Sequence, residues 1–336
     1  MSENRVLLSL DSVKKYFPLK KKSIFTSGID YVKAVDGVTL DIFEGETLGL
    51  VGESGCGKST LGRTLIQLHK PTEGTIVYNG TDGGSLSLTK LAKQEMRALR
   101  KDLQIIFQDP YSSLNPRLTV GQIIGEGLLA HGLFKSEKDA GYTERVLSVM
   151  EQCGLAPYFI HRYPHQFSGG QRQRIGIARA LALNPKFIVC DEAVSALDVS
   201  IQSQIINLLL DLKETKKLTY MFITHDLSVV RFISDRIGVM YLGSLVELAT
   251  ANSIFDKPFH PYTVALLEAI PRTDVESNQK ITLLDGDIPS PINPPSGCKF
   301  NTRCKYATEQ CRTVVPEWRE LEERHFVACH YPLNQD

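Results

Sequence analysis

The sequence predicts an α/β protein whose largely parallel sheet core is followed by a small, cysteine-rich end. Beyond residue 168, short apolar runs rich in β-branched residues alternate with segments of helical periodicity, which is typical of a parallel sheet packed with helices. Beyond about residue 273 the sequence turns polar and then proline-rich, and four of the seven cysteines follow. The 336 residues suffice for a large α/β domain and a smaller second one.

The individual strands are predicted from alternation and β-branching, and the helices from apolar residues at helical spacing. Strands are expected over residues 6–10, 38–43, 75–78, 103–107, 187–190, 220–224 and 236–241. Helical patterns cover 120–152, with breaks around 125–132, then 171–183, and a short helix begins at Leu227. A further helix would bury the face formed by Ile201, Ile205, Leu208, Leu209 and Leu212. We expect one domain over 1–272, with a helical subdomain at about 115–183, and a second domain over 273–336.

The charge balance and hydropathy exclude two classes of protein. Lys plus Arg and Asp plus Glu both number 38, so no global basic field draws the chain onto nucleic acid. No run of roughly 18 or more apolar residues predicts a membrane-spanning helix, and the first residues lack a secretory core, so we expect a cytosolic protein. A local basic run, typical of a solvated loop but open to contact with an anionic partner or membrane surface, comprises Lys14, Lys15, Lys20, Lys21 and Lys22.

A phosphate-binding loop follows the apolar run that ends at Val51. It consists of Gly52, Glu53, Ser54, Gly55, Cys56, Gly57, Lys58, Ser59 and Thr60. Its glycines let backbone N–H groups converge on phosphate oxygens, and the following helix directs its positive end to the same place. Lys58 would reach the β and γ phosphates, and the Ser59 hydroxyl would bind Mg²⁺.

Two carboxylates end the apolar strand predicted over 187–190. Asp191 suits a Mg²⁺ ligand acting through water, and Glu192 is placed to polarise an attacking water as general base. Taken alone, such a pair is more often a loop or a cap. Downstream of a phosphate loop the catalytic interpretation is favoured.

Three further segments follow strands or precede a helix. Gln108 could coordinate Mg²⁺ or position water, and His225 could contact the γ-phosphate, although each taken singly is more often an ordinary polar residue at a strand end. A second hydroxyl and a second anion site at a helix start come from Ser168, Gly169, Gly170 and Gln171. Two phosphate half-sites so far apart in one chain indicate an assembly in which each half-site completes a partner's.

In this order the motifs resemble those of the nucleotide-binding subunits of ATP-binding cassette (ABC) transporters. The resemblance covers about residues 6–270 and includes the segment from Ser195 to Asp198, in which Asp198 would contribute to nucleotide binding. It implies an ABC-type P-loop ATPase core with an antiparallel β part, and a head-to-tail dimer that sandwiches two ATP molecules. Each ATP would lie between one subunit's phosphate loop and the other's signature serine, Ser168. An aromatic ring would stack on adenine, Phe17 by preference and Tyr16 otherwise.

One departure from the family's pattern is Ala193, which follows Glu192 where these ATPases usually have proline. The substitution loosens the turn but leaves both carboxylates in place. We therefore expect ATP hydrolysis to be retained.

Three segments narrow the resemblance to the oligopeptide and dipeptide permease ATPases, most like their F-type subunit. They are 107–116, 163–167 and the tail from His260 onward. Nickel and glutathione importers share much of this pattern. The resemblance implies a D-type ATPase as heterodimer partner, two transmembrane permease subunits, an extracytoplasmic peptide-binding protein, and a peripheral location on the cytoplasmic face of the membrane. A soluble ABC protein of DNA repair or translation is the alternative class, but the chain has one phosphate loop and no basic surplus.

The tail gathers four cysteines in 32 residues, namely Cys298, Cys304, Cys311 and Cys329. Four thiolates suit zinc or an iron–sulfur cluster, whereas four buried thiols or a pair of disulfides are the alternative without a metal. Zinc sites tend to use close C-x₂₋₄-C pairs, but here the gaps are five, six and seventeen residues. The resemblance to the peptide-permease C-terminal domain implies a four-iron four-sulfur cluster, with zinc as the alternative.

Overall fold

The computed structural model describes residues 5–19, 29–80, 84–269 and 286–335. These residues form two compact units. The first contains Arg5, Phe43–Thr47 and Lys90–Ile223; the second contains Val6–Ile42, Leu48–Thr89 and the described part of 224–336. Among these residues no helix combines the length and apolar character needed to cross a bilayer.

In the described chain the strands are β1 Val6–Pro18, β2 Tyr31–Phe43, β3 Thr47–Val51, β4 Glu73–Asn79, β5 Ser85–Ser87, β6 Leu103–Ile106, β7 Phe187–Asp191, β8 Thr219–Ile223, β9 Arg236–Tyr241, β10 Ser244–Thr250, β11 Arg319–Glu322 and β12 His325–Val327. The helices are α1 Lys58–Leu65, α2 Lys93–Leu99, α3 Pro110–Ser113, α4 Val120–Ala130, α5 Tyr142–Gln152, α6 Gly169–Leu181, α7 Val199–Lys216, α8 Leu227–Ile233, α9 Ala251–Asp256, α10 Pro261–Glu268 and α11 Glu309–Thr313.

The core of the first unit is a parallel arrangement of β6, β7 and β8. Val189 on the central strand lies opposite Ile105 on one side and Met221 on the other. Every residue of β7 and β8 is buried, as expected for parallel strands covered on both faces. The carboxyl end of β7 carries Asp191, so the sheet delivers this carboxylate to its edge.

The described helices of this unit are α2 to α7. Of the breaks predicted around 125–132, the one at Gly125 is wrong because α4 runs through this residue, whereas the one at His131 and Gly132 is confirmed because α4 ends at Ala130. A Cβ atom at Gly125 would lie 1.9 Å from the Tyr142 hydroxyl, so the glycine allows α5 to approach closely rather than ending the helix. On α7 the predicted apolar face is largely confirmed, with Ile205 and Leu209 fully buried.

The second unit contains a four-stranded sheet in the order β2-β1-β4-β5 and, separately, a run of strands β11-β12-β10-β9-β3. β3 and β9 are parallel, whereas β9, β10, β12 and β11 pair antiparallel in turn. The predicted α/β class, with parallel strands and an antiparallel part, is confirmed. β10 was not predicted; it follows β9 through a tight turn in which Leu242 and Gly243 both have positive φ.

The tail from residue 286 belongs to this second unit and pairs with one of its strands. The division into an ATPase domain and a separate tail domain stays a prediction. The tail strand β12 pairs with β10. On these strands His325 Nε2 lies 2.7 Å from the carboxylate of Glu247, and both side chains are buried. The same carboxylate accepts the backbone N–H of His260 at 3.0 Å, so a buried polar group is satisfied from several sides.

The basic run near the N-terminus differs from its prediction. Lys14 and Lys15 are not in a solvated loop but in β1. Lys14 forms an ion pair with Glu73 at 2.7 Å, and Lys15 donates to the carbonyl of Lys70 at 2.9 Å. The other three lysines of the run, at 20–22, and the polar segment at 274–279 lie outside the described residues.

Candidate nucleotide-binding and catalytic site

The phosphate loop joins β3 to α1 and has a shape that requires glycine at two positions. Gly52 has φ 146°, and a Cβ atom there would lie 2.2 Å from the carbonyl oxygen of Met240. Gly57 has φ 107°, and its Cβ atom would lie 2.0 Å from the carbonyl oxygen of Ala34. Because both positions combine positive φ with close backbone approach, a side chain at either one would deform the loop.

Lys58 lies folded over the loop, with 5% of its surface exposed. Its ammonium donates to the carbonyl of Gly52 at 2.7 Å and to that of Glu53 at 3.0 Å. Cys56, beside it, is buried, and this burial raises the pKa of its thiol. Ser59 is half-buried in the first turn of α1, and the exposed Ser54 and Gly55 form the outer curve of the loop.

The two aromatic residues predicted near adenine lie side by side on β1. The Tyr16 hydroxyl donates to Asp36, and burial is the largest cause that raises its pKa. The half-buried ring of Phe17 meets His69 edge to face at 5.4 Å between centroids, with the Lys15 ammonium 4.8 Å from its centroid. The two rings are therefore engaged in different ways, Tyr16 through its hydroxyl and Phe17 through its ring.

His225 belongs to the same unit as the phosphate loop. It is exposed and follows Thr224, whose backbone N–H donates to the carbonyl of Leu50 at 3.3 Å. Asp226 then caps α8 by accepting the N–H of Ser228 at 2.8 Å. The segment that carries His225 is thus attached to β3, two residues before the loop begins.

In the first unit the structure brings together two of the predicted catalytic residues. The Gln108 side-chain amide donates to Glu192 Oε2 at 2.6 Å. Glu192 has φ 48°, an uncommon conformation for a side-chain-bearing residue, and its N–H donates to the carbonyl of Ile223 at 3.0 Å. Ser195 donates to the Glu192 carbonyl at 3.0 Å, and Asp191, one residue before, is buried. A strained backbone fixed by neighbours is a common feature of functional positions.

The signature segment begins α6 with a capping box. The Ser168 hydroxyl accepts the N–H of Gln171 at 3.3 Å, and the Gln171 side chain accepts the N–H of Ser168 at 3.1 Å. A Cβ atom at Gly170 would lie 2.4 Å from the Ile201 side chain, so this glycine permits α6 and α7 to pack closely. Ser168 is exposed and Gly169 half-buried, whereas Asp198 caps α7 by accepting the N–H of Ile201 at 3.0 Å.

The four tail cysteines line one small cavity, together with side chains that include His260, Phe300 and Tyr331. Burial raises the pKa of Cys298 to about 11 and that of Cys329 to about 12. Within 5–19, 29–80, 84–269 and 286–335, however, no three His, Cys, Asp or Glu side chains are grouped as ligands of a metal ion.

The sequence of the chain is similar to those of known protein families and of individual known proteins. A family described as ABC transporter matches residues 35–195, and one described as oligopeptide/dipeptide transporter, C-terminal region, matches residues 246–311. The chain is 52% identical over 331 residues to the oligopeptide transport ATP-binding protein AppF of Bacillus subtilis, covering 98% of each. The chain belongs to the ABC transporter ATPase family.

Further ABC proteins support the same assignment. The chain is also 52% identical over 332 residues to the oligopeptide transport ATP-binding protein OppF of Salmonella typhimurium. The alignment covers 98% of this chain and 97% of OppF. The dimeric structure of MJ0796, a bacterial ABC transporter cassette, aligns with a TM-score of 0.61 at 30% identity, over 73% of this chain and 99% of MJ0796. As an ABC ATPase, the chain binds and hydrolyses ATP.

Several residues around the ABC nucleotide site were not predicted from the sequence. Four side chains contact the phosphate loop or the strand that carries Phe17. Tyr262 and Arg303 contact Glu53 of the loop, Asp36 contacts Tyr16 of the strand, and Lys299 reaches that strand through Asp36. They lie far from those segments in sequence, or, for Asp36, in a strand without a distinctive motif. No local signal could have identified them.

Proposed function

We propose that the chain is the ATP-hydrolysing subunit that powers import of dipeptides and oligopeptides through a membrane ABC permease. The observation that carries the proposal is the 52% identity, over 98% of the chain including its tail, to a protein described as an oligopeptide transport ATP-binding protein. An importer for nickel or glutathione is the alternative, and a soluble ABC ATPase without a transport role is a more distant one. The ATPase domain would occupy 1–272, with its helical subdomain at about 115–183, and the tail domain 273–336.

The proposed assembly contains a second, D-type ATPase as heterodimer partner. Two permease subunits span the membrane, and an extracytoplasmic binding protein delivers peptide to them. The chain is then peripheral, on the cytoplasmic face. ATP closes the pair of cassettes, and hydrolysis with product release reopens it, which switches the permease between inward- and outward-facing states.

The phosphate loop and the carboxylates take the roles that their chemistry suits. Backbone N–H groups of the loop and Lys58 bind the phosphates. Mg²⁺ would be held by Ser59, Gln108 and Asp191, oxygen-bearing side chains of the kind this ion prefers. Glu192 acts as general base for the attacking water, and its hydrogen bond from Gln108 supports this role by orienting the carboxylate. His225 contacts the γ-phosphate.

Phe17 is the proposed adenine-stacking residue, with Tyr16 as the alternative. The Tyr16 hydroxyl is held by Asp36, whereas the Phe17 ring would exchange its contacts with His69 and Lys15 for the base. Base stacking on an aromatic contributes about 1 to 3 kcal/mol.

Ser168 acts in trans, on the ATP bound by the partner cassette. It is exposed at the start of a 13-residue helix, where the positive end of the helix favours an anion. Its hydroxyl accepts a bond from Gln171, and a serine hydroxyl that accepts one bond still has its own hydrogen to donate. The phosphates of the chain's own ATP are already served by Lys58.

Ser168→Arg is therefore expected to leave ATP binding by the isolated chain unchanged and to suppress ATPase activity in the assembled complex. The long side chain would block the approach of a partner's γ-phosphate. Equilibrium binding of a fluorescent ATP analogue to the isolated chain, beside ATPase rates of the complex, measures both effects. Thr143→Arg, an exposed position on α5, is the matched control and should change neither. Loss of binding in the isolated Ser168→Arg chain would contradict action in trans.

The four cysteines form the ligand set of a four-iron four-sulfur cluster, with zinc as the alternative. All four thiols face one cavity in the tail, and four cysteines are the usual ligands of such a cluster. Zinc draws its thiolates to about 2.3 Å from a single ion, whereas each cysteine of a cluster binds a different iron. The preference for a cluster rests on the gaps of five, six and seventeen residues between the cysteines, which differ from the close pairs usual at zinc sites. The cluster would fold the tail and hold it in place.

The cargo is tested in the reconstituted complex. The chain is expected to co-purify with two hydrophobic membrane subunits and a second ATPase. ATP hydrolysis in proteoliposomes should be stimulated by the binding protein loaded with dipeptides or oligopeptides, and not by nickel or glutathione. Stimulation by one of those solutes alone would replace the peptide assignment. Failure to associate with any membrane protein would favour the soluble class.

A further inference from the structure

A side chain of the cysteine-rich tail reaches into the phosphate loop. Arg303, which precedes Cys304, donates through both terminal nitrogens to Glu53, with Nη1 2.7 Å from Oε2 and Nη2 3.0 Å from Oε1. The Arg303 side chain is only 4% exposed. A paired, forked contact of this kind fixes orientation as well as distance, and burial strengthens it.

Glu53 is the second residue of the loop and is held at three points. Its carboxylate is held by Arg303, its backbone N–H donates to the Tyr262 hydroxyl at 2.9 Å, and its carbonyl accepts from Lys58 at 3.0 Å. Tyr262 is fully buried and packs against Phe300 of the tail, at 5.3 Å between ring centroids. Since the loop binds phosphate through its backbone N–H groups, a rotation of the peptide at Glu53 would misdirect them.

A second contact of the tail reaches the other end of the nucleotide site. Lys299, which follows Cys298, places its ammonium 2.8 Å from the Asp36 carboxylate and 2.7 Å from the Ser244 hydroxyl. Asp36 in turn accepts the hydroxyl of Tyr16, the neighbour of Phe17. The two cations therefore flank two different cysteines and reach the two ends of the site.

We propose that the tail positions the nucleotide site, with Arg303 orienting the phosphate loop through Glu53 and Lys299 orienting the strand of Phe17 through Asp36. Both residues would act through a carboxylate, Arg303 through Glu53 and Lys299 through Asp36, so we class both as positioning residues. The proposal rests on ATP binding by the loop and does not depend on peptide cargo or on what the cysteines bind. It gives the tail an effect on nucleotide affinity in addition to its own folding.

The test is equilibrium binding of a fluorescent ATP analogue to the full-length chain. Arg303→Gln is expected to weaken binding by about tenfold or more, because small misplacements at a binding site have large effects. Arg303→Lys keeps the charge but not the fork, and should fall between Arg303→Gln and the unmodified chain. Arg312→Gln is the matched control: this arginine lies in the same tail, is 64% exposed and pairs with Glu309 at 3.9 Å. It should leave the dissociation constant within about twofold, as expected for an exposed pair.

A double-variant experiment on Arg303 and Glu53 distinguishes positioning of the loop from a general loss of structure. If Arg303 acts through Glu53, the double variant Glu53→Gln with Arg303→Gln should bind no more weakly than the weaker single variant. The double variant leaves neither side chain as an uncompensated charge, so it remains a valid test even where a single variant unfolds. Additive losses would overturn the mechanism through Glu53.

Lys299→Gln provides the corresponding test for the other end of the site. It should weaken binding of the adenine nucleotide and reduce its discrimination against inorganic triphosphate, because the adenine contact is the one affected. The proposal would be overturned if three variants bound the nucleotide as tightly as the unmodified chain and had the same midpoint temperature of thermal unfolding. These variants are Arg303→Gln, Arg303→Lys and Lys299→Gln.

Discussion

Glu192→Gln is expected to bind ATP, to accumulate a closed, ATP-loaded pair of cassettes, and to hydrolyse ATP about 10²- to 10⁴-fold more slowly. The amide has nearly the shape of the carboxylate, so nucleotide binding by the loop is kept. It cannot take the proton of the attacking water. The hydrolysis step therefore loses its base while the steps before it proceed.

The surroundings of Glu192 support this separation of binding from chemistry. The backbone at Glu192 is held by Ile223 and Ser195, and the side chain accepts from Gln108 at 2.6 Å. A glutamine at position 192 can still accept that bond through its oxygen. The substitution should therefore remove the basic function without moving the strand end, and a change in rate can be assigned to the lost carboxylate.

The measurement needs a complex in which the partner's ATP site has been disabled, so that turnover reports this chain's site. Nucleotide occlusion and size-exclusion chromatography then report closure. Glu151→Gln, an exposed glutamate on α5, is the matched control and should hydrolyse at the normal rate. If Glu192→Gln also turned over near the normal rate, Glu192 would not be the base.

The parts of the fold and site that the sequence could predict are those with local signals. The capping box of Ser168 and Gln171 starts α6 one residue after the serine, and the two carboxylates follow an apolar strand. Such patterns involve residues that are close in sequence. They therefore indicate the same local structure whatever the surrounding fold. The pairing of Gln108 with Glu192, by contrast, joins residues 84 apart and depends on the parallel pairing of β6 with β7, whose carboxyl ends lie at one edge of the sheet.

Other features depend on contacts between distant segments and left no local pattern. Gly125 resembled a helix break, but its role is set by the Tyr142 side chain that packs against it. The turn from β9 to β10 uses Leu242 at positive φ, a residue type that does not signal a hairpin. Arg303 and Glu53 are separated by 250 residues, so their ion pair could be found only in the folded chain.

Replacing any one of the four tail cysteines with serine is expected to abolish or strongly reduce metal binding before ATP binding is lost. Serine is a poor ligand for iron, and a four-iron cluster needs all four thiolates. Anaerobically purified protein should be brown, with a broad absorption in the visible range and about four iron atoms per chain. Each Cys→Ser chain should be paler and contain less iron. Iron analysis and absorption spectra of the isolated chain measure this without recourse to transport.

A cysteine outside the tail provides the control for these substitutions. Cys153 is fully buried in the first unit, and its burial raises the pKa of its thiol to about 12. Cys153→Ala should keep the full iron content even where it lowers stability, because it is not a ligand. Colourless protein with one zinc per chain, lost in each tail variant, would replace the cluster by a four-thiolate zinc site. Protein without iron or zinc after anaerobic purification would instead favour buried thiols, since the cavity that the four side chains share would then have formed by apolar packing alone.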